Sequence, residues 1–487
     1  MIRNKFKIVA ASGLAALVLA VSSCSKIDQF GDMNQNPGNT TTPIPSGLLT
    51  NTLSGLPNYT WDAGGITTIA GLYGQYFSET QYTDVSTYSK QNPNWDGYYA
   101  GRLYDLQTII NYNSDPNTAA TAAAYGSNAN QIAVARILKA YIYAMLTDSY
   151  GDLPYSGALK GDNGIVAYDK QQDIYNSLFQ ELTEAVAQFD GGAGPKGDIL
   201  FGGDVSMWKK FANSFHALLA LHLSKVDAAK GQAEFNAALN APGGVLQAGE
   251  NISLAAPGDN FFNPVYNYYN ITLRKDYAVS ATLLNLLQST NDDRATAYAS
   301  SSIGFPYGLS RDNAIAFNNA NPNWARLLQG QGTSKTAPFP IITSAEVFLA
   351  RAEAAQLGWT GENVATLYAT GISESWKYWN VFNQADYDNY MANPSIDLSG
   401  GSVLQKIATQ EWISSYPHGL RAWTIWRRTG FPVLAPAPGA VTAQIPRRFA
   451  YGLNEYSLNP TNVAAAASQY DVGGDKDSQY GHVWWDK

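Results

Sequence analysis

Cysteine is almost absent from this chain. Cys24 is the only one in 487 residues, which excludes an internal disulfide and any cluster of cysteine metal ligands. A chain of this length can bury a core large enough to fold without covalent crosslinks. The single thiol lies near the N-terminus, directly after an apolar run.

Charged side chains are also scarce. They make up 14% of the residues, against roughly 25% in an average domain, and the net charge is -8. A nucleic-acid partner is excluded, because binding to phosphates needs a basic face. The polar surface is built instead from Asn, Gln, Ser, Thr and Gly, together with 31 Tyr and 12 Trp. Tyr and Trp combine a flat apolar ring with one hydrogen-bonding group, so this composition favours a neutral polar ligand.

The motifs of the common catalytic sites are missing. There is no glycine-rich phosphate-binding loop, no Gly-x-Ser-x-Gly nucleophile elbow and no His-Glu-x-x-His zinc motif. His216 and His222 are six positions apart rather than four, and His222 lies on an apolar helical stripe, as a core histidine would. We therefore predict no cofactor and no metal ion.

Glycan hydrolysis is the enzymatic alternative. It needs two carboxylates about 5 to 9.5 Å apart across a cleft, and the sequence shows no such pairing. Most of the available carboxylates stand near helix starts or on helical hairpins, where capping and the helix dipole account for them. The candidates are Asp152, Asp204, Glu346, Glu353, Glu411 and Glu455.

The N-terminus has the pattern of a lipoprotein signal. Basic residues precede an apolar run over 8–21, which suits a secretory signal peptide and is shorter than the roughly 20 residues of a membrane span. Val21-Ser22-Ser23-Cys24 resembles the bacterial lipobox, in which cleavage leaves a lipid-modified cysteine at the new N-terminus. Two or three acyl chains would anchor the protein stably to a membrane. Cys24 is therefore the predicted lipidation site.

The predicted organisation follows from that site. Cys24-Ser25-Lys26-Ile27-Asp28 is similar to the export tags of surface lipoproteins in Bacteroidetes-type bacteria, so we expect an outer-membrane protein that faces the cell exterior. The signal peptide covers 1–23, and the lipidated cysteine with a tether rich in Asn, Pro, Gly and Thr covers 24–46. The rest, 47–487, is expected to be a single domain.

Helical periodicity dominates this domain, and strand-like alternation is scarce. Neighbouring helices over 344–357 and 364–379 have a short connection, which predicts helical hairpins of the tetratricopeptide kind. The expected fold is dominated by α-helices: tetratricopeptide-like hairpins form a superhelical scaffold with long irregular loops and little β-structure. Further helices are expected around 132–145 and over 174–189, 211–222, 278–288, 403–416 and 420–428, and long loops over 76–99, 256–270 and 300–335.

Motifs in a consistent order along the chain resemble those of one family. They include Tyr150-Gly151-Asp152-Leu153-Pro154-Tyr155, Gly203-Asp204-Val205-Ser206-Met207-Trp208, Arg421-Ala422-Trp423, Trp426-Arg427-Arg428, Ile445-Pro446-Arg447-Arg448 and the terminal Trp484-Trp485-Asp486-Lys487. Over nearly its whole mature length the chain resembles the SusD/RagB-type nutrient-binding outer-membrane lipoproteins.

This resemblance implies a fold, a ligand class and a partner. Members have an α-rich domain built on tetratricopeptide hairpins. They lie over a SusC-type TonB-dependent β-barrel, capture an oligosaccharide or in some cases a peptide, and deliver it into the barrel. The shared motifs belong mostly to the scaffold, so no ligand-binding residue follows from them. A glycoside hydrolase and a peptide-binding or adhesive surface lipoprotein stay open as alternatives.

Two long loops carry the same tetrapeptide, since Asn92-Pro93-Asn94-Trp95 recurs as Asn321-Pro322-Asn323-Trp324. A sugar ring has C–H faces that stack on flat aromatics and hydroxyls that bond to amides. Because Pro and Asn favour rigid turns, both Trp side chains are expected to face outward and clamp one glycan. The alternative is that each Trp plugs the core beneath its loop. The predicted ligand-binding residues are Trp95, Trp324, Tyr98, Tyr99, Tyr82, Asn94 and Asn323.

Other aromatic and basic residues are interpreted mainly as scaffold. The segment Asn263–Asn270 is a third cluster of aromatics and amides, ranked after the two loops because it equally suits packing on the scaffold. Five tryptophans at helical spacings predict core positions, and four arginines are expected to bond to carbonyls and carboxylates inside the scaffold. These residues are Trp376, Trp379, Trp412, Trp423, Trp426, Arg427, Arg428, Arg447 and Arg448.

Overall fold

Helices and two short β-ribbons make up the regular structure. The computed structural model describes residues 42–161, 165–258 and 261–487, and Ile44–Lys487 form one compact unit. The predicted signal peptide, the predicted lipidation site Cys24 and most of the predicted tether lie outside the described residues. Within the described ranges, none of the helices has both the length and the hydropathy that a membrane span requires.

The predicted fold class is confirmed, because each helix expected from the periodicity is present. In chain order the helices are α1 Pro45–Ser54, α2 Ile66–Tyr73, α3 Tyr104–Ser114, α4 Ala119–Ala122, α5 Asn128–Tyr150, α6 Gln171–Gln188, α7 Val205–Ala220, α8 Ala228–Asn240, α9 Pro264–Tyr266, α10 Ala281–Ser289, α11 Arg294–Tyr298, α12 Arg311–Ala320, α13 Ser344–Gln356, α14 Val364–Tyr378, α15 Gln384–Met391, α16 Val403–Ser414, α17 Gly419–Thr429, α18 Leu453–Leu458 and α19 Pro460–Ala467.

Consecutive helices pair as the tetratricopeptide pattern requires. Helix α5 packs on α6, α7 on α8, and α13 on α14. Helix α13 begins with a capping box, in which the Thr343 side chain accepts from the backbone N–H of Glu346, and the Glu346 carboxylate accepts from the backbone N–H of Thr343 at 2.8 Å. This cap sets the start of α13 at the residue that the sequence predicts.

Two antiparallel ribbons join segments that are far apart in the sequence. One pairs β1 (Phe77–Glu79) with β3 (Tyr277–Val279), and the other pairs β2 (Ile252–Ala255) with β4 (Pro338–Ile342). The first ribbon therefore holds the loop that follows β1 beside the residues that precede β3. The second supports a surface groove between α1 and the segment that follows β2.

Buried arginine side chains tie the C-terminal helices together through hydrogen bonds. Arg428 on α17 donates through Nη2 to Glu353 on α13 at 2.6 Å and to Glu411 on α16 at 3.0 Å. The other three arginines also bond inside the scaffold, as predicted: Arg427 to the carbonyl of Asp148, Arg447 to Asp486 and Arg448 to Asp477. Trp376, Trp412 and Trp423 are fully buried, and Trp379 and Trp426 are partly buried.

Two of the predicted long loops contain helices that the sequence does not reveal. Within 300–335 the structure has α12, which buries only Ala314. A helix with one buried side chain has no apolar stripe, so periodicity cannot detect it. Within 256–270, α9 is a single turn that continues into a π-helical turn over Asn267–Ile271.

Candidate ligand-binding groove

The indole ring of Trp95 is part of the core. Its exposed fraction is 3%, and its Nε1–H donates to Glu455 on α18 at 3.3 Å. Tyrosine rings surround it, with ring centroids at 4.8 Å for Tyr150 and 5.7 Å for Tyr451. The expected outward orientation of Trp95 is therefore wrong: a helix near the C-terminus supplies the acceptor that allows the indole to be buried.

Trp324 is buried as well, in a separate cluster. Its exposed fraction is 4%, its Nε1–H donates to Asn318 on α12 at 2.6 Å, and its ring packs edge-on to Phe305 at 6.1 Å. The expected outward orientation is again wrong, because α12 supplies the acceptor. Among the described residues, Trp95 and Trp324 share no aromatic neighbour, so the structure does not bring them together as two plates.

The other predicted binding residues divide between core and surface. Tyr98 and Tyr99 are partly buried; the Tyr98 ring lies 5.9 Å from Tyr59, and the Tyr99 hydroxyl donates to the carbonyl of Pro154. Asn94, Asn323 and Tyr82 are exposed. Tyr82 is 49% exposed, and the guanidinium of Arg311 stands over its ring at 5.3 Å.

A groove of about 800 Å³ opens between α1 and the segment that joins β2 to the π-helical turn. This volume lies within the usual range of ligand pockets, about 300 to 1,000 Å³. The groove is lined by Ser46, Gly47, Thr50, Asn51, Ser54, Pro57, Asn58, Lys196, Gly197, Ile199, Leu254, Ala256, Pro257, Phe261, Phe262, Pro264 and Asn267.

Helix α1 forms one side of the groove. The Thr50 hydroxyl donates to the carbonyl of Gly197 at 2.8 Å, and the Asn51 amide donates to Asp105 on α3 at 2.7 Å. Gly197 has a φ of 82°, and a Cβ at this position would lie 2.1 Å from the carbonyl oxygen of Ser46. The close approach of this loop to α1 therefore requires glycine, and these contacts hold α1 in place.

Another side of the groove is the segment Phe261–Asn267. The Asn263 side-chain oxygen accepts from two backbone N–H groups at the start of α9, at 3.0 and 3.1 Å, and its Nδ2 donates to a backbone carbonyl ahead of β4 at 3.2 Å. The Phe262 ring packs on Tyr266 at 5.8 Å. Phe261 is 58% exposed. A capped turn thus presents one free phenyl ring and one that is supported from behind.

The groove combines flat rings with amides and carries little charge. Phe261 and Phe262 supply the rings, and Asn51, Asn58 and Asn267 supply side-chain amides. Lys196 is the only titratable side chain among the described residues that line the groove. Rings that stack on C–H faces and amides that bond to hydroxyls suit a neutral, hydroxyl-rich ligand such as a saccharide.

Sequence reasoning found only part of this site. The segment Asn263–Asn270 is recognised by its aromatics and amides but is ranked after the two Asn-Pro-Asn-Trp loops. Phe261 and Phe262 directly precede it, and this adjacent pair of phenylalanines in a loop is the signal that could have raised its rank. The contribution of α1 has no sequence signal, because its polar residues lie about 200 positions away and resemble those of any exposed helix face.

The six candidate carboxylates of a hydrolase are engaged in the scaffold. Glu353 and Glu411 are 2% and 5% exposed and share Arg428. Burial and the charge of Glu353 raise the pKa of Glu411 well above its ordinary value. Asp152 pairs with Lys170, and Glu346 pairs with Arg421. Asp204 caps the N-terminus of α7, and Glu455 accepts hydrogen bonds from Trp95 and Tyr168. None of the six lines the groove.

Comparisons with known proteins give a consistent result. The sequence profile of the SusD-like_2 family, described as "Starch-binding associating with outer membrane", matches residues 37–452. A solved chitin-binding protein superposes with a TM-score of 0.76 at 29% identity, covering 91% of this chain and 100% of its own. Comparison with curated proteins gives no significant match.

Two further solved structures share the fold. A chitin-binding SusD homologue from Flavobacterium johnsoniae has a TM-score of 0.73 at 22% identity and covers 91% of this chain and 97% of its own. A SusD homologue from Bacteroides uniformis has a TM-score of 0.75 at 24% identity and covers 91% and 99%. At these identities the two structures are evidence of the fold alone.

Proposed function

The chain belongs to the SusD-like family, and on that premise we propose that it is a lipid-anchored surface protein that captures an oligosaccharide and passes it to a TonB-dependent β-barrel transporter. Capture is equilibrium binding without covalent chemistry. The observation that carries this proposal is the groove of about 800 Å³, whose lining joins Phe261 and Phe262 to the amides of Asn51, Asn58 and Asn267.

The ligand is a neutral glycan. The described lining offers hydrogen-bonding amides and apolar ring faces and one charged side chain, Lys196, a set that suits an uncharged ligand. The family description names starch, and a solved structural neighbour at 29% identity is a chitin-binding protein. Short oligomers of glucose and of N-acetylglucosamine are therefore the first ligands to examine.

Membrane attachment is proposed to depend on Cys24. The lipobox-like Val21-Ser22-Ser23-Cys24 supports acylation at this residue, and the chain that follows is rich in turn-forming residues, as a tether would be. Tethering keeps the groove within reach of a barrel in the same membrane and raises its effective concentration there. Hand-over then needs only dissociation from the groove close to the transporter.

Calorimetric titration separates the functional classes. The full-length chain in detergent is titrated with malto- and chito-oligosaccharides, and the sugars are examined afterwards for new reducing ends. We expect heat of binding with one of them and an unaltered sugar. Cleaved sugar would identify a hydrolase, and the absence of binding to either series, with binding to peptides instead, would contradict the glycan proposal.

The groove itself is tested by removing its rings. In the double variant Phe261→Ala, Phe262→Ala, each lost ring contact is expected to weaken binding by about 0.5–1.5 kcal/mol, so affinity should fall about fivefold to a hundredfold. Tyr104→Ala, which removes a 50% exposed ring that does not line the groove, is the matched control. Unchanged affinity in the double variant would place the binding site elsewhere.

Anchor and partner are tested in cells. Replacing the anchor residue, Cys24→Ala, is expected to remove the fatty acid and release the protein from the outer membrane, whereas Ser25→Ala should not. The wild-type protein should co-purify with a large β-barrel protein from solubilised outer membranes. Wild-type protein that carries no fatty acid, or that never retains a barrel partner, would contradict the corresponding part of the proposal.

A further inference from the structure

A second pocket, with different chemistry, lies between α3, α5, α6 and the loop that follows α5. It has a volume of about 480 Å³ and shares no lining residue with the groove. Tyrosine rings, amides and charged side chains line it, among them Gln107, Asn111, Arg136, Lys139, Tyr143, Lys160 and Glu181. Its polar character raises the question of which ligand it would accept.

The charge of this pocket is opposite to that of the protein as a whole. Among the described residues that line it, three are basic and one, Glu181, is acidic. Arg136 is neutralised by Glu181 at 2.7 Å and by Glu184, which approaches from outside the pocket. Among these described side chains one positive charge remains in excess even when Glu184 is counted, in a chain whose net charge is -8. Such a local reversal attracts an anionic ligand.

Of the three basic side chains, that of Lys139 lies deepest in the pocket. Its ammonium group donates to the Gln107 side-chain oxygen at 2.6 Å, and among the described residues no carboxylate lies within 4.0 Å of it. Burial lowers the pKa of Lys139 and Arg136 lowers it further, while Glu181 opposes them. A partly buried cation without a carboxylate partner is costly to the folded protein, and an anionic ligand would supply the missing partner.

Tyr143 supplies a second polar atom without a partner. The residue is 2% exposed, and its hydroxyl has no hydrogen-bond partner among the described residues. Its ring is held edge-on by Tyr155 at 4.7 Å, and Tyr155 is held in turn by its backbone N–H bond to Asp169 at 3.0 Å. Buried hydroxyls in folded proteins are normally hydrogen-bonded, so a polar group of a ligand that reaches this hydroxyl would satisfy it.

We propose that this pocket binds an acidic sugar, with the Lys139 ammonium and the Tyr143 hydroxyl donating to its anionic group and the Gln107–Asn111 amides contacting its hydroxyls. The ammonium group provides a charge-assisted hydrogen bond, and the tyrosine rings provide an apolar surface for the sugar ring. The site does not depend on the groove or on the glycan that the groove binds.

The test uses digalacturonate, its neutral methyl ester and inorganic sulfate as probes of the full-length chain in detergent. We expect digalacturonate to bind at least about tenfold more tightly than the ester, because the ester cannot form the charged bond. Lys139→Gln should weaken digalacturonate binding by about tenfold or more without lowering the apparent Tm. Lys275→Gln, at an exposed lysine outside the pocket, should bind like the wild type.

Tyr143→Phe provides the second, independent variant. It keeps the ring and removes only a hydroxyl that has no hydrogen-bond partner in the described part of the chain, so the fold should be unaffected while digalacturonate binding weakens. Three results would overturn the proposal: equal binding of acid and ester, unchanged affinity in both variants, or sulfate binding as tightly as digalacturonate, which would indicate an adventitious ion only. Should Lys139→Gln fail to fold, Tyr143→Phe decides.

Discussion

The surroundings of Trp95 and the rim of the groove use the same kinds of residue for opposite purposes. Both combine aromatic rings with asparagines in long connections, yet Trp95 is 3% exposed and Phe261 is 58% exposed. Helix α18 lies over the first ring and its Glu455 accepts the indole N–H. Composition alone does not distinguish a ring that supports the fold from one that can contact a ligand; the element that packs over the ring decides.

The largest effect on stability is expected at Trp95, the buried ring of the two. Trp95→Ala removes a ring enclosed by Tyr150, Tyr168 and Tyr451 and should lower the free energy of unfolding by about 3–5 kcal/mol. Denaturant unfolding measures the loss, and calorimetry on the folded fraction should show an unchanged affinity for the oligosaccharide. A variant that is as stable as the wild type but no longer binds the oligosaccharide would show instead that Trp95 belongs to the ligand site.

A change of pH should separate the scaffold from the groove. Because its folded pKa is raised, Glu411 binds its proton more tightly in the folded state; its contribution to stability is present at low pH and is lost as the pH rises from the unfolded pKa towards the folded one. Glu411→Gln cannot ionise and still offers Arg428 an acceptor. Between pH 5 and pH 8 the free energy of unfolding of this variant should therefore rise relative to that of the wild type. The expected rise is about 1.4 kcal/mol for each pH unit in which Glu411 of the wild type is protonated in the folded state and ionised in the unfolded state.

Thermal unfolding of both proteins across this range checks the expectation, and parallel pH profiles would contradict it. Oligosaccharide titrations at the same pH values complete the comparison. The described lining of the groove contains no carboxylate and no histidine. Binding of a neutral glycan should therefore stay constant while stability changes.

The smallest effect is expected at Tyr82, an exposed ring in the loop predicted over 76–99. Its contact with Arg311 is worth about 0.5–1 kcal/mol at an exposed site, so Tyr82→Ala should lower the free energy of unfolding by no more than that. The apparent Tm measures this loss, with Tyr104→Ala as the control. A fall in glycan affinity as large as that of the Phe261, Phe262 variant would extend the binding surface to this loop.

The helical scaffold could be predicted from the sequence because its signals are local. Helix α13 is predicted over 344–357 from its helical periodicity and from its short connection to the next helix, and the structure has it at Ser344–Gln356. Helix α12 has no apolar periodicity, since Ala314 is its only buried residue. Its Asn318 nevertheless decides that Trp324 is buried, so the second tryptophan could not be placed correctly without it.

The sequence by itself determined that the chain is helical, weakly charged and rich in amphipathic aromatics, because periodicity and composition are properties of neighbouring residues. Only the tertiary structure decided which rings meet water. Trp95 is covered by a residue 360 positions away, and the groove joins α1 to a turn about 200 positions further along the chain. Burial is the removal of surface from water by whichever segments pack against it, and distance along the chain does not specify those segments.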